Sequence, residues 1–247
     1  PKAAFGYSNI WTFNENYDKY PSNYDGTDPL TGNTYPTTNN TQKRGKMWDM
    51  YSDQTWNGTN QRDGNPNNYK TIGDTYNREH SLPKSWFGGS DSNQPGTDPN
   101  HLFNTDGKVN VMRSNYPYGD VVKDITFNGY TFEGKNATGF GKLGKNSSGT
   151  LVFEPDDAYK GDFARAKMYM AAAYYDWNLT QDTGGAYCFS YANGVSTMKS
   201  YYINLLTKWS AEDPVSQKEI DRNNAVYNST QKNRNPFIDH PTWANKI

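Results

Sequence analysis

Three histidines, at positions 80, 101 and 240, limit the acid–base chemistry open to this chain. His240 lies in a Pro-bounded tail, where packing or capping is the plainer role. His101, in Asp98-Pro-Asn-His-Leu, reads as structural or as a support behind a site. His80 differs because Glu79 and Arg78 precede it directly. Neighbouring side chains of a strand point to opposite faces, so Glu79 and His80 could share a site only at a strand end or bend, and Pro83 supplies such a break. Taken alone, Arg-Glu-His reads better as a salt-bridged surface triplet. Asn110, Arg113 and Asn115 change the balance: Asn110 follows His80 by thirty residues, room for a strand, a loop and a helix. That arrangement would bring an amide oxygen against a carboxylate and an imidazole. Oxygen ligands with open water positions suit Mg²⁺, and a neutral His beside such an ion would be a base for water rather than a ligand.

The elements that must position these groups follow from local patterning. Residues 46–51 (KMWDMY) form a compact apolar run that reads as a strand, and residues 76–80 lead to the histidine on another. From Asp106, Val109, Met112 and Arg113 allow a short helix that should stop before Pro117 and Gly119. Residues 121–153 read as a Gly-punctuated β region. Residues 162–177 predict a helix with Phe163, Ala166, Met170 and Ala173 on one side and Arg165 and Lys167 on others. Residues 196–209 predict a second helix, anchored by Leu205, Leu206 and Trp209. Asp213-Pro214 predicts the cap and first turn of a third, reaching about Thr230. The Pro-containing C-terminus should then wrap back over the core. With no repeat, linker or long charge run, the pattern predicts one domain over residues 1–247, of α+β class, with a β-rich middle and C-terminal helices.

Two local patterns read as loops. Asp25, Asp28 and Asn33 lie in the turn-rich residues 20–41, but their spacing fails the EF-hand pattern. Gly139-Phe-Gly-Lys-Leu-Gly-Lys145-Asn146 nearly spells a phosphate-binding loop. Yet Asn146 replaces the Mg²⁺-binding hydroxyl, and a strand-like run stands where a helix must begin, so a β-turn is expected.

Composition bounds the remaining choices. With 247 residues and 15% aromatics, the chain can form a folded core, which excludes intrinsic disorder as the main reading. Mean hydropathy is -1.04 and no apolar run approaches a bilayer span, so no membrane association is expected. Net charge is -1, so any polyanion would need a local basic patch, expected to draw on Arg78, Lys84, Arg113 and Arg165. Cys188 is the single cysteine, which excludes an internal disulfide, and its neighbours Tyr187 and Phe189 mark it as inert. The chain opens at Pro1 rather than Met, which reads as a mature or trimmed product. About one residue in eight is Asn, a composition that suits a secreted bacterial protein.

Several ordered motifs resemble one family. They are Tyr76-Asn-Arg-Glu-His-Ser-Leu-Pro-Lys-Ser-Trp-Phe-Gly, Gly96-Thr-Asp-Pro-Asn-His-Leu and Val109-Asn-Val-Met-Arg-Ser-Asn-Tyr-Pro-Tyr-Gly. Lys160-Gly-Asp-Phe-Ala-Arg-Ala-Lys-Met-Tyr-Met and the stretch from Asp213-Pro-Val-Ser to Gln231-Lys-Asn-Arg-Asn-Pro-Phe-Ile-Asp-His-Pro continue the likeness. Over roughly residues 46–247 the chain is similar to the bacterial endonuclease I and extracellular ribonuclease family, whose nucleases carry the His-Me finger, or ββα-metal, site. The resemblance implies such a core at about residues 72–118, with His80 as general base and Glu79 and Asn110 as ligands of Mg²⁺, for which Mn²⁺ or Ca²⁺ can substitute. It implies a charge-stabilising role for Arg113, substrate contacts from Arg78, Lys84, Arg165 and Asn115, and orientation of His80 by Asp98. Asn100 departs from the family, which often has His there, and the N-terminal helical segment expected before Tyr7 is short or absent.

The expected activity is that of a secreted or periplasmic, Mg²⁺-dependent, sequence-nonspecific nuclease. It would act on DNA, RNA or both as a monomer and leave 5′-phosphate products. The rival expectation is a noncatalytic extracellular module that binds glycans through exposed Trp and Tyr.

Overall fold

The computed structural model describes residues 5–33, 40–52, 54–127, 130–131 and 141–247, with backbone alone at 40–41, 126–127 and 130–131. The class is α+β, as expected. The chain divides into two compact units: a helical one of Pro1–Trp11, His80–Leu102 and Lys160–Ile247, and a β-rich one of Thr12–Glu79 and Phe103–Tyr159.

In the β-rich unit the chain runs through α1 (Asn9–Tyr17), which begins in the other unit's first segment, and α2 (Asn40–Lys43) to β1 (Tyr76–His80). Next come β2 (Leu102–Asp106) and α3 (Gly107–Arg113). β1 and β2 form a two-stranded sheet. Asp106 caps α3 as its position suggests: Oδ1 accepts the N–H groups of Lys108 and Val109 at 2.8 and 3.0 Å, and Oδ2 that of Gly73 at 2.7 Å. Such a cap is worth about 1 kcal/mol. β3 (Lys123–Asp124), β6 (Lys142–Lys145) and β7 (Leu151–Glu154) make a three-stranded antiparallel sheet, with β4 (Thr126–Phe127) paired to β5 (Tyr130–Thr131).

The near phosphate-binding motif contributes to the β6–β7 hairpin. Asn146 Oδ1 closes its turn by accepting from Ser148 and Thr150 N–H, while Gly139 and Phe140 lie outside the described residues. So do residues 34–39 of the early polar loop and residues 128–129 and 132–140 of the expected β region. In that early loop Asp28 Oδ1 accepts from Leu30 N, Thr31 N and Thr31 Oγ1, which fixes a turn.

Residues 47–51 are buried and Lys46 is half-buried, but residues 46–51 are not a strand. Met47 makes isolated bridges to Lys19 and Trp56. Asp49 then bends the chain, its Oδ1 accepting from Tyr51 N and Ser52 N and its Oδ2 from Ser52 Oγ and Trp56 Nε1. A short acidic side chain bonding the backbone two and three residues ahead competes with strand pairing.

In the helical unit α4 (Lys160–Ala173) is buried on every side over its first eleven residues, not on one face. Its charged side chains are accommodated individually. Arg165 pairs with Glu219, Lys160 lies over the Trp209 ring at 5.3 Å, and Lys167 over Trp86 at 4.2 Å. α5 (Thr183–Cys188) is followed by a hairpin of β8 (Phe189–Ala192) and β9 (Val195–Met198), then by α6 (Ser200–Glu212). The second expected helix therefore starts later than residue 196. Asn193 and Gly194 carry positive φ of 53° and 79°, the two left-handed positions that a tight hairpin turn requires. α7 (Gln217–Asn228) starts later than Asp213-Pro214 predicts: its cap is Ser216, in a reciprocal capping box with Glu219. The C-terminal prolines open short helical turns, α8 (Pro236–Asp239) and a 3₁₀ segment from Pro241 to Lys246.

Candidate active site

His80 is the last residue of β1 and belongs with the helical unit, whereas Glu79, Asn110 and Arg113 belong with the β-rich unit. Each group is built within its own unit.

The His80 ring is buried, 6% exposed, with Nε2 2.9 Å from the carbonyl oxygen of Gly96. A carbonyl only accepts, so Nε2 carries the hydrogen and the lone pair of the neutral ring is on Nδ1. Tyr7 lies against the ring, with centroids 5.5 Å apart. His101 is held in the same manner one residue earlier along the loop, by Nε2 to Pro95 O at 2.7 Å, while its Nδ1 faces Leu82 N at 3.4 Å. Burial, then the charge His80 can carry, push His101 well below the ordinary value of 6.5 and keep it neutral.

Asp98 does not stand on His80. Its Oδ1 accepts from Asn100 N and Nδ2, and its Oδ2 from the hydroxyls of Tyr169 and Tyr174 at 2.6 and 2.7 Å. Asn100 ties this loop to Asn233. Lys84 is partly exposed, 3.2 Å from Asp91 and 5.8 Å from the Tyr7 ring centroid.

In the β-rich unit Glu79 is buried, and its Oε1 receives both Arg113 Nη1 at 2.7 Å and the Tyr51 hydroxyl at 2.8 Å. Because Tyr51 donates to Glu79, its contact of 2.7 Å with Tyr118 has the Tyr118 hydroxyl as donor. Burial holds both phenols above the ordinary 10.0, so both remain donors at neutral pH. The Arg113 guanidinium lies 4.9 Å from the Tyr118 ring centroid and is buried, 1% exposed. It stands on Glu79 rather than at a solvent-facing surface. Asn110 is half-buried on α3, Asn115 is exposed just beyond it, and Arg78 is half-buried on β1.

Arg165, expected to touch substrate, is fully buried. Its Nε and Nη2 bond the two oxygens of Glu219 at 2.6 and 2.7 Å, and Nη1 bonds Ser210 O, Ser210 Oγ and Asp213 O. This is a structural fork–fork pair, and it corrects the expectation of a phosphate contact. Tyr51, Tyr118, Tyr169 and Tyr174 were not selected from the sequence. Tyrosine is common here, at 20 residues, so nothing in the type alone marks these four.

Among the described residues no group of three or more His, Cys, Asp or Glu could hold a metal ion. Trp48, Trp56, Trp86 and Trp209 are buried, which removes most of the indole surface that a glycan-binding reading needs. The profile of the family described as Endonuclease I matches residues 17–242. The chain belongs to the endonuclease I family. Membership makes it a nuclease, and so a phosphodiester hydrolase with a nucleic acid substrate. The chain is also similar to the extracellular ribonuclease of Bacillus subtilis (strain 168), 32% identical over 248 residues that cover 91% of this chain and 77% of that protein. It is 34% identical to the extracellular ribonuclease of Bacillus amyloliquefaciens over 218 residues, covering 78% and 67%. Among the described residues of this endonuclease I family member, no helix is long and apolar enough to cross a membrane.

Proposed function

We propose that this member of the endonuclease I family is a secreted, Mg²⁺-dependent, sequence-nonspecific nuclease in which His80 is the general base. The observation that carries this reading is the Gly96 carbonyl on His80 Nε2, which leaves Nδ1 as the basic nitrogen of the neutral ring. The order β1, β2, α3 with His80 ending β1 and Asn110 on α3 supports a His-Me finger core. The name extracellular ribonuclease, carried by both relatives, supports secretion and RNA among the substrates.

The donor chemistry fits the ion. Glu79 and Asn110 offer oxygen only, and Mg²⁺ keeps several waters, taking one or two protein oxygens rather than a full cage. Arg113 on Glu79 Oε1 offsets part of the carboxylate charge, so metal affinity should be modest. Bound there, Mg²⁺ would supply Lewis-acid stabilisation of charge on the phosphoryl oxygens.

The chain's own residues then have separate tasks. His80 Nδ1 takes a proton from water as the water oxygen attacks phosphorus. The bond from phosphorus to the 3′-oxygen breaks, that oxygen takes a proton from solvent, and the product keeps a 5′-phosphate. Arg113 and Tyr51 hold Glu79, and Arg78, Lys84 and Asn115 supply phosphate contacts. Because the scissile phosphate carries no base information, cleavage without sequence preference follows.

The test is a gel assay on duplex DNA and on RNA, with Mg²⁺ and with EDTA. Metal-dependent degradation of either is expected. Intact substrates under every metal condition, or degradation undiminished by EDTA, would contradict the reading.

A further inference from the structure

We propose that Tyr169 and Tyr174 are positioning residues for His80, acting through the loop of residues 94–101. The proposal rests on the reading of His80 as general base and extends it to groups about ninety residues away in sequence.

The carbonyl of Gly96, 2.9 Å from Nε2, sets which nitrogen of His80 is basic. That carbonyl lies in a loop of two short 3₁₀ turns, Pro95–Thr97 and Pro99–His101, with no strand ladder to fix it. Asp98, two residues on and fully buried, provides the anchor instead. Its Oδ1 closes the second turn on Asn100 N, and its Oδ2 accepts the hydroxyls of Tyr169 at 2.6 Å and Tyr174 at 2.7 Å. Tyr174 also lies 3.2 Å from Gln94 O, so its hydroxyl meets the loop on both sides of Gly96. Asn233 Nδ2 donates to the Tyr169 oxygen at 2.6 Å, which leaves that hydroxyl's hydrogen for Asp98.

Tyr169 sits on the buried helix α4, and Tyr174 follows that helix closely. Both phenols therefore transmit the position of a rigid element to the loop. Gly96 has little room to adjust: a Cβ there would lie 2.3 Å from Ser90 O. A buried carboxylate that loses a donor must find another, and the backbone bearing it moves to do so. Such a shift weakens the Gly96 bond, and the Nε2–H tautomer of His80 loses its preference over Nδ1–H.

The test uses Tyr169→Phe, Tyr174→Phe and the double variant, which keep the rings and remove only the donors. Three readouts are needed: kcat and KM on a short nucleic acid substrate, Mg²⁺ binding by calorimetry, and the ¹⁵N imidazole signature of His80, assigned with His80→Ala. The double variant is expected to lose at least about tenfold in kcat, with KM and Mg²⁺ affinity within about twofold of the parent. Its His80 signature should change from Nε2–H to a tautomer mixture. A folded single or double variant with parental kcat and parental signature overturns the proposal, even if its melting temperature falls, because that pattern marks a merely structural role. If the double variant does not fold, the same criteria apply to the single ones. Failure of the underlying reading looks different: His80→Ala would then keep parental activity, whatever the tyrosine variants do to the imidazole signature.

Discussion

Arg113 Nη1 and Glu79 Oε1 lie 2.7 Å apart with both side chains buried, and the Tyr51 hydroxyl shares the same oxygen. A buried ion pair adds little net stability over an apolar replacement, but removing one partner leaves an uncompensated charge. Arg113→Ala should therefore cost about 3–5 kcal/mol of folding stability. Tyr51→Phe should cost less, about 1.5–3 kcal/mol, the range for a bond to a charged group. Denaturant titration checks both. A loss under about 1 kcal/mol for Arg113→Ala would mean that the pair does not persist in solution.

Arg165 makes a similar prediction with a different contrast. It joins α4 to Glu219, which also completes the cap of α7 through Ser216. Arg165→Ala should lower stability by about 3–5 kcal/mol. The salt dependence of nucleic acid binding by the folded fraction should stay at its parental slope, since a lost phosphate contact would reduce that slope by about 0.9 on duplex DNA. A parental melting temperature with a shallower salt slope would return Arg165 to the substrate.

These two arginines show where the sequence is legible and where it is not. Both fall in family-like motifs, yet a motif does not say whether a guanidinium faces phosphate or a buried carboxylate 34 or 54 residues away. Local signals read well: the break after His80, the Asp106 cap and the stop of α3 all depend on neighbours within a turn. Asn193-Gly194 is an equally local signal for a hairpin, but the residues after it also suit a helix. Ser216 was hidden behind Asp213-Pro214, a pair of the right types for a cap. Asp213 instead accepts from Gly161 N, 52 residues away. Tyr169 and Tyr174 on Asp98 could not be read at all, since only tertiary packing selects two phenols among twenty.

His101 and Asp49 pull pH stability in opposite directions. His101 is held neutral below its ordinary 6.5, so under that pH the unfolded chain binds the extra proton. Stability from this group is present above pH 6.5 and lost as pH falls toward its folded value. Burial, then the charge of Asp106, push Asp49 up from 3.8 to about 8, so its contribution is present at low pH and lost as pH rises through that window. Melting temperatures from pH 5 to 8 should show a flatter acid limb for His101→Gln and a smaller alkaline decline for Asp49→Asn. Slopes equal to the parent's in both variants would contradict the burial argument.

In the proposed division of labour, Glu79 and Asn110 hold the ion and His80 takes the proton. Mg²⁺ calorimetry on folded Glu79→Gln, Asn110→Ala and His80→Ala, paired with kcat for each, measures it directly. The first two should bind Mg²⁺ more weakly and recover part of their activity at high metal concentration. His80→Ala should bind it as the parent does and lose about 10²–10⁴-fold in kcat at any metal concentration. Loss of metal binding in His80→Ala, with binding retained in Glu79→Gln, would contradict it.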